Sequence, residues 1–427
     1  AGHVGVREPG RKPRAATAPS REAPVVIDSG LPAPGTGPRL LWASPLPPTR
    51  SGIADYAVEL LPHLSRVAAV TVMAPPDWPG GDQIVGVPVV AVEAPQAGFT
   101  PLLHLGNNPY HLWIARYLRS HGGFVVLHDT VLHHLLVEEA AADGAWERFG
   151  EELQAAHGEA GAALARGRAW GMHGPRDPFL FPARSAYLRH ARGVIVHSRQ
   201  GLLDVQRDCP GLGVRRIPLS LGALPPGDRG IWRGRLGATD GDLVLTHLGY
   251  LTPAKGLDVI LRSLLALVEL GIPVRLVVVG EGSETDAFRE AVGCAGLGER
   301  VRIWGFASEQ DLAGLLAATD LGLVPRFPTA GETSAAALRF MAAGVPVAVA
   351  GYRQFLELPA AAAFRLTPGA AGAADLVRVA GWLAREPAVL AAARVVARRS
   401  WEDGGHPPEQ AARALVTALE ELERDLA

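Results

Sequence analysis

From residue 39 almost to the end of the chain, short apolar runs alternate with stretches in which apolar positions recur every three or four residues. RLLWAS (39–44) opens the series as a strand, and in IADYAVELLPHL (53–64) the apolar positions fall on one helical face. Strand-like runs follow at VAAVTVM (67–73), VPVVAV (87–92), PLLHLG (101–106), FVVLHD (124–129) and VIVHS (194–198). Helix-like stretches lie among them at HLWIARYLRS (111–120), TVLHHLLVEEAA (130–141) and EELQAAHGEAGAALARG (151–167). Strands alternating with helices predict βαβ units and a parallel sheet.

Residues 219–229 are a Pro/Gly-rich break, and a second alternating series starts beyond it. Its strands are LVLTHLG (243–249), VRLVVVG (274–280), VRIWG (301–305), LGLVP (321–325) and VPVAVA (345–350). Its helices are predicted over 255–270, 308–318, 333–343 and 407–426. The fold class is therefore α/β, with two Rossmann-like domains facing across a cleft. The domains span 38–222 and 223–402, and a separate helical segment covers 403–427. In each half a ligand belongs at the carboxyl ends of the strands. Residues 1–37 are rich in Gly, Pro, Ala and Arg without apolar periodicity, and read as a disordered tail.

Composition narrows the function. Hydrophobic residues make up 48% and charged residues 20% of the 427 positions, which fits a large-cored enzyme, and a net charge of -2 gives nucleic acid no electrostatic footing. Two distant cysteines, Cys209 and Cys294, make no disulfide framework and read as buried reduced thiols, which fits the cytoplasm. The most apolar stretch, 261–280, is broken by Arg262, Glu269, Pro273 and Arg275, so no membrane span is expected and membrane contact is at most peripheral. No secretory leader is read at the N-terminus.

Four segments carry candidate chemistry. In PLPPTRSGIADY (45–56) a strand ends and Ser51-Gly52 open a helix, where free N–H groups favour an anion and glycine admits close approach; an ordinary strand-to-helix turn has the same residues. In LGYLTPAKGLD (248–258), Thr252 suits an N-cap and Pro253 a first helical position. Lys255 then falls in the first turn, where a cation opposes the helix dipole unless an anion joins it; a solvated lysine is the alternative. In RFPTAGETSAAALRFMAAGVPV (326–347), Gly331, Glu332, Thr333 and Ser334 sit where a loop becomes a helix, placed to hold a phosphate and sugar hydroxyls or simply to cap. In VLHDTVLHHL (126–135), His128 and Asp129 follow a buried strand and face the cleft. His133 and His134 read as partly buried helix residues rather than as metal ligands with His128. No hydrolase elbow, Walker loop or paired-aspartate metal clamp appears, so no cofactor and no metal are expected.

Together these segments resemble the family 4 retaining glycosyltransferases, bacterial group 1 type, over about residues 39–402. The resemblance rests on the SGIADY turn, the GNNPYH segment (106–111), LHD-x-x-LHH and the R-x-P-T-x-G-E-x-S stretch, in that order and spacing. It implies the GT-B fold, with the final helix returning to the N-terminal domain. It also implies roles by position: Gly52 beside the donor diphosphate, His128 on the transferred sugar, Lys255 and a further cation, Arg326, on the phosphates, Glu332 on sugar hydroxyls, Gly331, Thr333 and Ser334 around the phosphate, and Gly305 with Phe306 at the base. Two positions depart from the family. Tyr250 stands where an arginine is usual, and Arg339 where a ribose-binding glutamate is usual. The acceptor is expected on the first domain, near Asp55, Tyr56, Asn107, Asn108, His111 and Asp129, with the loop 170–179 bordering it.

The function expected is transfer of a sugar from a nucleoside-diphosphate sugar to a saccharide, lipid-linked or small-molecule acceptor hydroxyl, with retention. A catalytically silent binding module and a nucleotide-sugar 2-epimerase are the competing readings.

Overall fold

The computed structural model describes residues 37–75, 77–91 and 97–427. The expected tail, apart from Gly37, lies outside them. The first half is built on eight strands: β1 Arg39–Ala43, β2 Ala69–Ala74, β3 Gln83–Ile84, β4 Val87–Ala91, β5 Thr100–Leu105, β6 Phe124–Leu127, β7 Gly193–Val196 and β8 Val214–Arg216. Their order is β3-β4-β2-β1-β5-β6-β7-β8, parallel except for the β3–β4 pair. The second half has six strands: β9 Leu243–Leu248, β10 Val274–Val279, β11 Val301–Gly305, β12 Leu321–Val324, β13 Val347–Ala350 and β14 Ala363–Leu366. Their order is β11-β10-β9-β12-β13-β14, parallel throughout.

Each sheet is covered on both faces, which is why its strands read as nearly unbroken apolar runs. Along β1, Leu40 and Trp42 join one core, and Leu41 and Ala43 the other; β5, β6 and β7 alternate in step. In the second half Leu276 and Val278 face one core, Val277 and Val279 the other.

Both sheets reverse winding direction, the first between β1 and β5, the second between β9 and β12. Ligand crevices open at such reversals, beyond the carboxyl ends of the strands. The loops leaving those four strands are PLPPTRSG, GNNPYH, GYLTPAKG and PRFPTAGETS. Three of the four segments with candidate chemistry thus follow strands that flank the reversals, and the fourth, with His128 and Asp129, follows β6, the neighbour of β5.

Two crossovers join the halves side by side. At residues 219–222 the chain passes into the second half; near 404–407 it returns. Leu221 donates to the carbonyl of His406, His406 Nδ1 bonds the Leu219 carbonyl, and Trp401 Nε1 donates to Leu221. The last helix, Pro408–Leu426, packs against helix Gly52–Leu64 and against β7 and β8. Leu415, Leu419 and Leu422 are buried in the first half's core, at about 1.5–3 kcal/mol each. That outweighs its exposed ion pairs from Arg215 to Glu421 and Asp425, worth up to about 1 kcal/mol each.

Several local expectations need correction. Lys255 is not in the first helical turn: Pro253–Lys255 form a 3-10 turn, Gly256 adopts φ 70°, and the helix is Leu257–Glu269. Thr252 precedes that turn but its side chain makes no capping bond. The helix expected from Thr333 starts at Ala335. Cys294 is exposed and Cys209 only partly buried, not both interior. Strands β3, β8 and β14 were not legible, being short and weakly apolar.

Candidate active site

The loops from the two halves meet directly. Val131 donates its N–H to the carbonyl of Ala330 at 3.0 Å, and Thr130 Oγ1 reaches the same carbonyl at 3.3 Å. Gly331 takes φ +81°, and a Cβ there would collide with the Thr130 hydroxyl, so this crossing requires glycine. The Arg50 guanidinium from the first half lies 5.2 Å from the ring centroid of Phe306 in the second.

A charged cluster lies behind this crossing. Lys255 and Arg326 come from the loops after β9 and β12, and Asp129 from the loop after β6. Burial pulls the Lys255 ammonium down to about 7, with Arg326 adding to the shift and Asp129 opposing it. Burial likewise lowers Arg326, again against Asp129. Asp129 is raised by burial, although it accepts the N–H of Asn107 at 2.7 Å and feels both cations. Glu332 pairs with Arg326 and accepts from Thr329 Oγ1 at 2.8 Å, while Gln354 braces the loop through the Glu332 carbonyl. Buried Arg326 Nε and Thr333 Oγ1 have no hydrogen-bond partner. Two half-buried cations with unspent donors nearby have the charge and the hydrogen-bonding capacity to hold an anion.

Beside it sits a set of neutral aromatic rings. His128 Nε2 is 2.9 Å from His104 Nδ1. The rings of Tyr56 and His197 lie 5.1 Å from that of His128. Burial, then neighbouring histidines, hold His104 and His128 well below the ordinary imidazole value. His111 and His197 are brought to about 4, chiefly by burial.

The expected residues distribute unevenly. Lys255, Arg326 and Asp129 come together with Glu332, and Gly331 and Thr333 flank Glu332 in its loop, whereas His128, next to Asp129 in the chain, packs among the rings. Gly52 begins its helix behind Ser51, which caps Ile53, and a Cβ on Gly52 would meet open space. Ser334 serves as N-cap, accepting from Ala337 at 3.2 Å, which leaves its O–H free to donate. The Gly305 carbonyl accepts from Gly280, and Phe306 and Tyr250 are exposed.

Others play roles different from those expected. Arg339 is held away from the cluster: it donates to the Gly222 carbonyl at 2.7 Å and to Glu59 at 2.5 Å, pinning the first crossover. Asp55 neighbours Glu59 and Arg339; burial and then Glu59 raise it. Tyr56 is buried among the rings rather than lining an open surface. Asn107 Oδ1 caps helix His133–Asp143 by accepting from His134 and Leu135, and Asn108 caps the turn Pro109–His111. His111 is buried, its Nδ1 on the His104 carbonyl. His133 is buried on the Phe181 carbonyl, whereas His134 is exposed beside Glu138. Among the described residues no group of three or more His, Cys, Asp or Glu side chains is arranged to hold a metal ion.

Sequence reasoning missed His104, His197, His247 and Thr130. His247 sits under Lys255, brought to about 3 by burial and then by that cation. Two of them, His104 and His247, share a signal: a histidine inside an apolar strand next to a sheet reversal.

Residues 242–360 match the family described as Glycosyl transferases group 1. The chain carries a group 1 glycosyltransferase domain. That domain holds β9 to β13, Lys255, Arg326 and Glu332. D-inositol 3-phosphate glycosyltransferases are similar to parts of the chain. The Rhodococcus erythropolis protein is 32% identical over 132 residues, 29% of this chain and 29% of that one. The Mycobacterium ulcerans protein is 29% identical over 205 residues, 44% and 42%. The matches thus span less than half the length of these relatives. The fold is GT-B: sucrose-phosphate synthase from Thermosynechococcus elongatus superposes with a TM-score of 0.63 at 16% identity, covering 91% of this chain and 99% of that one. Anabaena HepE, solved in complex with UDP, gives 0.59 at 16% identity, covering 90% and 100%. No helix among the described residues of this glycosyltransferase-domain chain is long and apolar enough to cross a membrane.

Proposed function

We propose that the chain is a retaining glycosyltransferase that moves a sugar from a nucleoside-diphosphate sugar to an acceptor hydroxyl. The observation that carries this reading is the convergence of half-buried Lys255 and Arg326 at the reversal of the second sheet with Asp129 of the first half. The diphosphate meets Lys255, Arg326 and the Thr333 hydroxyl. The transferred sugar lies between Glu332 and His128. The acceptor enters from the first domain, where the side-chain oxygens of Asn107 and Asn108 shape the loop and their amide N–H groups are left to meet it.

In the transfer step the bond from the anomeric carbon to the phosphate oxygen breaks and its electron pair stays on that oxygen. The acceptor oxygen bonds to the same face of the anomeric carbon, and its proton passes to the departing phosphate. Lys255 and Arg326 stabilise the charge as it grows. The chain positions and stabilises, and this chemistry has no step for a divalent ion.

The test is a panel of nucleoside-diphosphate sugars, monitored for diphosphate release with and without acceptors, in chelator and then with magnesium. Release that needs an acceptor and tolerates chelator supports the reading; loss in chelator with recovery in magnesium overturns the metal-free part. The use of Arg339 at the crossover, away from the donor, favours a second reading, a silent nucleotide-sugar-binding module. It predicts donor binding with no release under any condition.

A further inference from the structure

The ring cluster contains a tautomer problem with one low-cost solution. His104 is fully buried on β5, and His128 is nearly so at the end of β6. Their rings share one contact, His104 Nδ1 to His128 Nε2 at 2.9 Å, so one nitrogen donates and the other accepts. His104 Nε2 is buried without a partner. If His128 Nε2 donated, neutral His104 would carry its proton on that orphaned Nε2, leaving a buried N–H unsatisfied. If His104 Nδ1 donates, the orphan is a bare lone pair. Unsatisfied donors are the rarer defect in folded proteins, so the second arrangement wins. His128 then accepts on Nε2 and, being neutral, holds its own proton on Nδ1.

We infer that His104 is a positioning residue that fixes His128 in the Nδ1–H tautomer, so that His128 offers a hydrogen-bond donor to the cleft. The ligand group it meets is an oxygen acceptor, a sugar hydroxyl or ring oxygen. The neighbouring backbone holds the pair in place: the His104 carbonyl accepts from His111 Nδ1 at 2.9 Å, and the His128 N–H donates to Leu105 at 2.8 Å. The Trp42 ring, 3.8 Å away between centroids, packs on His104 and limits its rotation. That the ligand is the donor's sugar rests on the proposed transferase activity; the tautomer does not.

The experiment is 15N spectroscopy of the ligand-free protein with labelled histidine, the His128 signals being identified by their loss in His128→Gln. The expected pattern is neutral, protonated on Nδ1. Protonation on Nε2 in the unaltered protein overturns the inference, whether or not any sugar is transferred. His104→Asn keeps an N–H donor near the place of Nδ1, and His104→Phe keeps bulk without a donor. His128 stays in the Nδ1–H form in the first and becomes mixed in the second. With UDP-glucose as the probe donor, turnover falls about tenfold in His104→Phe and recovers largely in His104→Asn, the effect of one directed hydrogen bond. Equal losses in both variants with an unchanged His128 pattern overturn the positioning role. If His104→Phe does not fold, the unaltered protein and His104→Asn still decide.

Discussion

Gly331 in the second domain lies against the hydroxyl of Thr130 in the first, so closely that no side chain fits between them. The contact joins the loop bearing Glu332 to the loop bearing His128 and Asp129. Gly331→Ala adds a methyl group at φ +81°, where an L-residue costs about 1–2 kcal/mol, and pushes the loops apart. The expected outcome is a melting temperature lower by only a few degrees, with a much larger loss of turnover. Turnover per folded molecule close to normal would show that the crossing is not needed for transfer.

Lys255 gives a pH signature with two opposite signs. Folding lowers its value from 10.5 to about 7, so between those values the unfolded chain holds a proton that the folded one lacks. Its contribution to stability therefore rises with pH across that window. A bound diphosphate favours the charged ammonium, so binding takes up a proton above pH 7 and weakens as pH climbs. Calorimetry of UDP binding in buffers of different ionisation heat measures the uptake. Lys255→Met abolishes it and lowers turnover by a factor equivalent to about 3–4 kcal/mol. Uptake unchanged in that variant rules out Lys255 as its source.

Glu332→Gln keeps the size of the side chain and one acceptor oxygen but removes the charge shared with Arg326. If the carboxylate grips sugar hydroxyls, transfer falls about tenfold, as for loss of a charge-assisted bond. UDP lacks the sugar, so its affinity stays nearly unchanged. Equal weakening of UDP binding and turnover would place Glu332 with the diphosphate, acting through Arg326. Because Ser334, not Glu332, caps the helix, the melting temperature falls only by what weakening the Glu332–Arg326 pair costs.

The Arg339–Glu59 pair is expected to serve stability, not donor binding. Arg339→Ala removes bonds to Glu59 and to the Gly222 carbonyl, at about 1.5–3 kcal/mol for a charged hydrogen bond. A double-mutant cycle with Glu59→Gln, read by denaturant unfolding, shows coupling between the two. Unchanged stability with weakened UDP binding would return Arg339 to the donor site.

The sequence by itself determined the class of fold. Buried parallel strands must be continuously apolar and their crossover helices amphipathic, so LLWAS, FVVL and VRLVVV announced themselves. Glycine, proline and hydroxyl residues marked the loops at the strand ends, and Lys255, Glu332 and His128 stood there. Only the tertiary structure decided what those loops do. Asn107 caps a helix 27 residues away, Arg339 reaches Glu59 across 280 positions, and Tyr56 turns inward to the histidine rings. The pairing of His104 with His128 likewise depends on β5 and β6 lying in register, with His104 opposite Val126. Apolar periodicity is a local property written in consecutive residues. The partner of a polar side chain is set by which strands become neighbours, and no spacing along the chain records that.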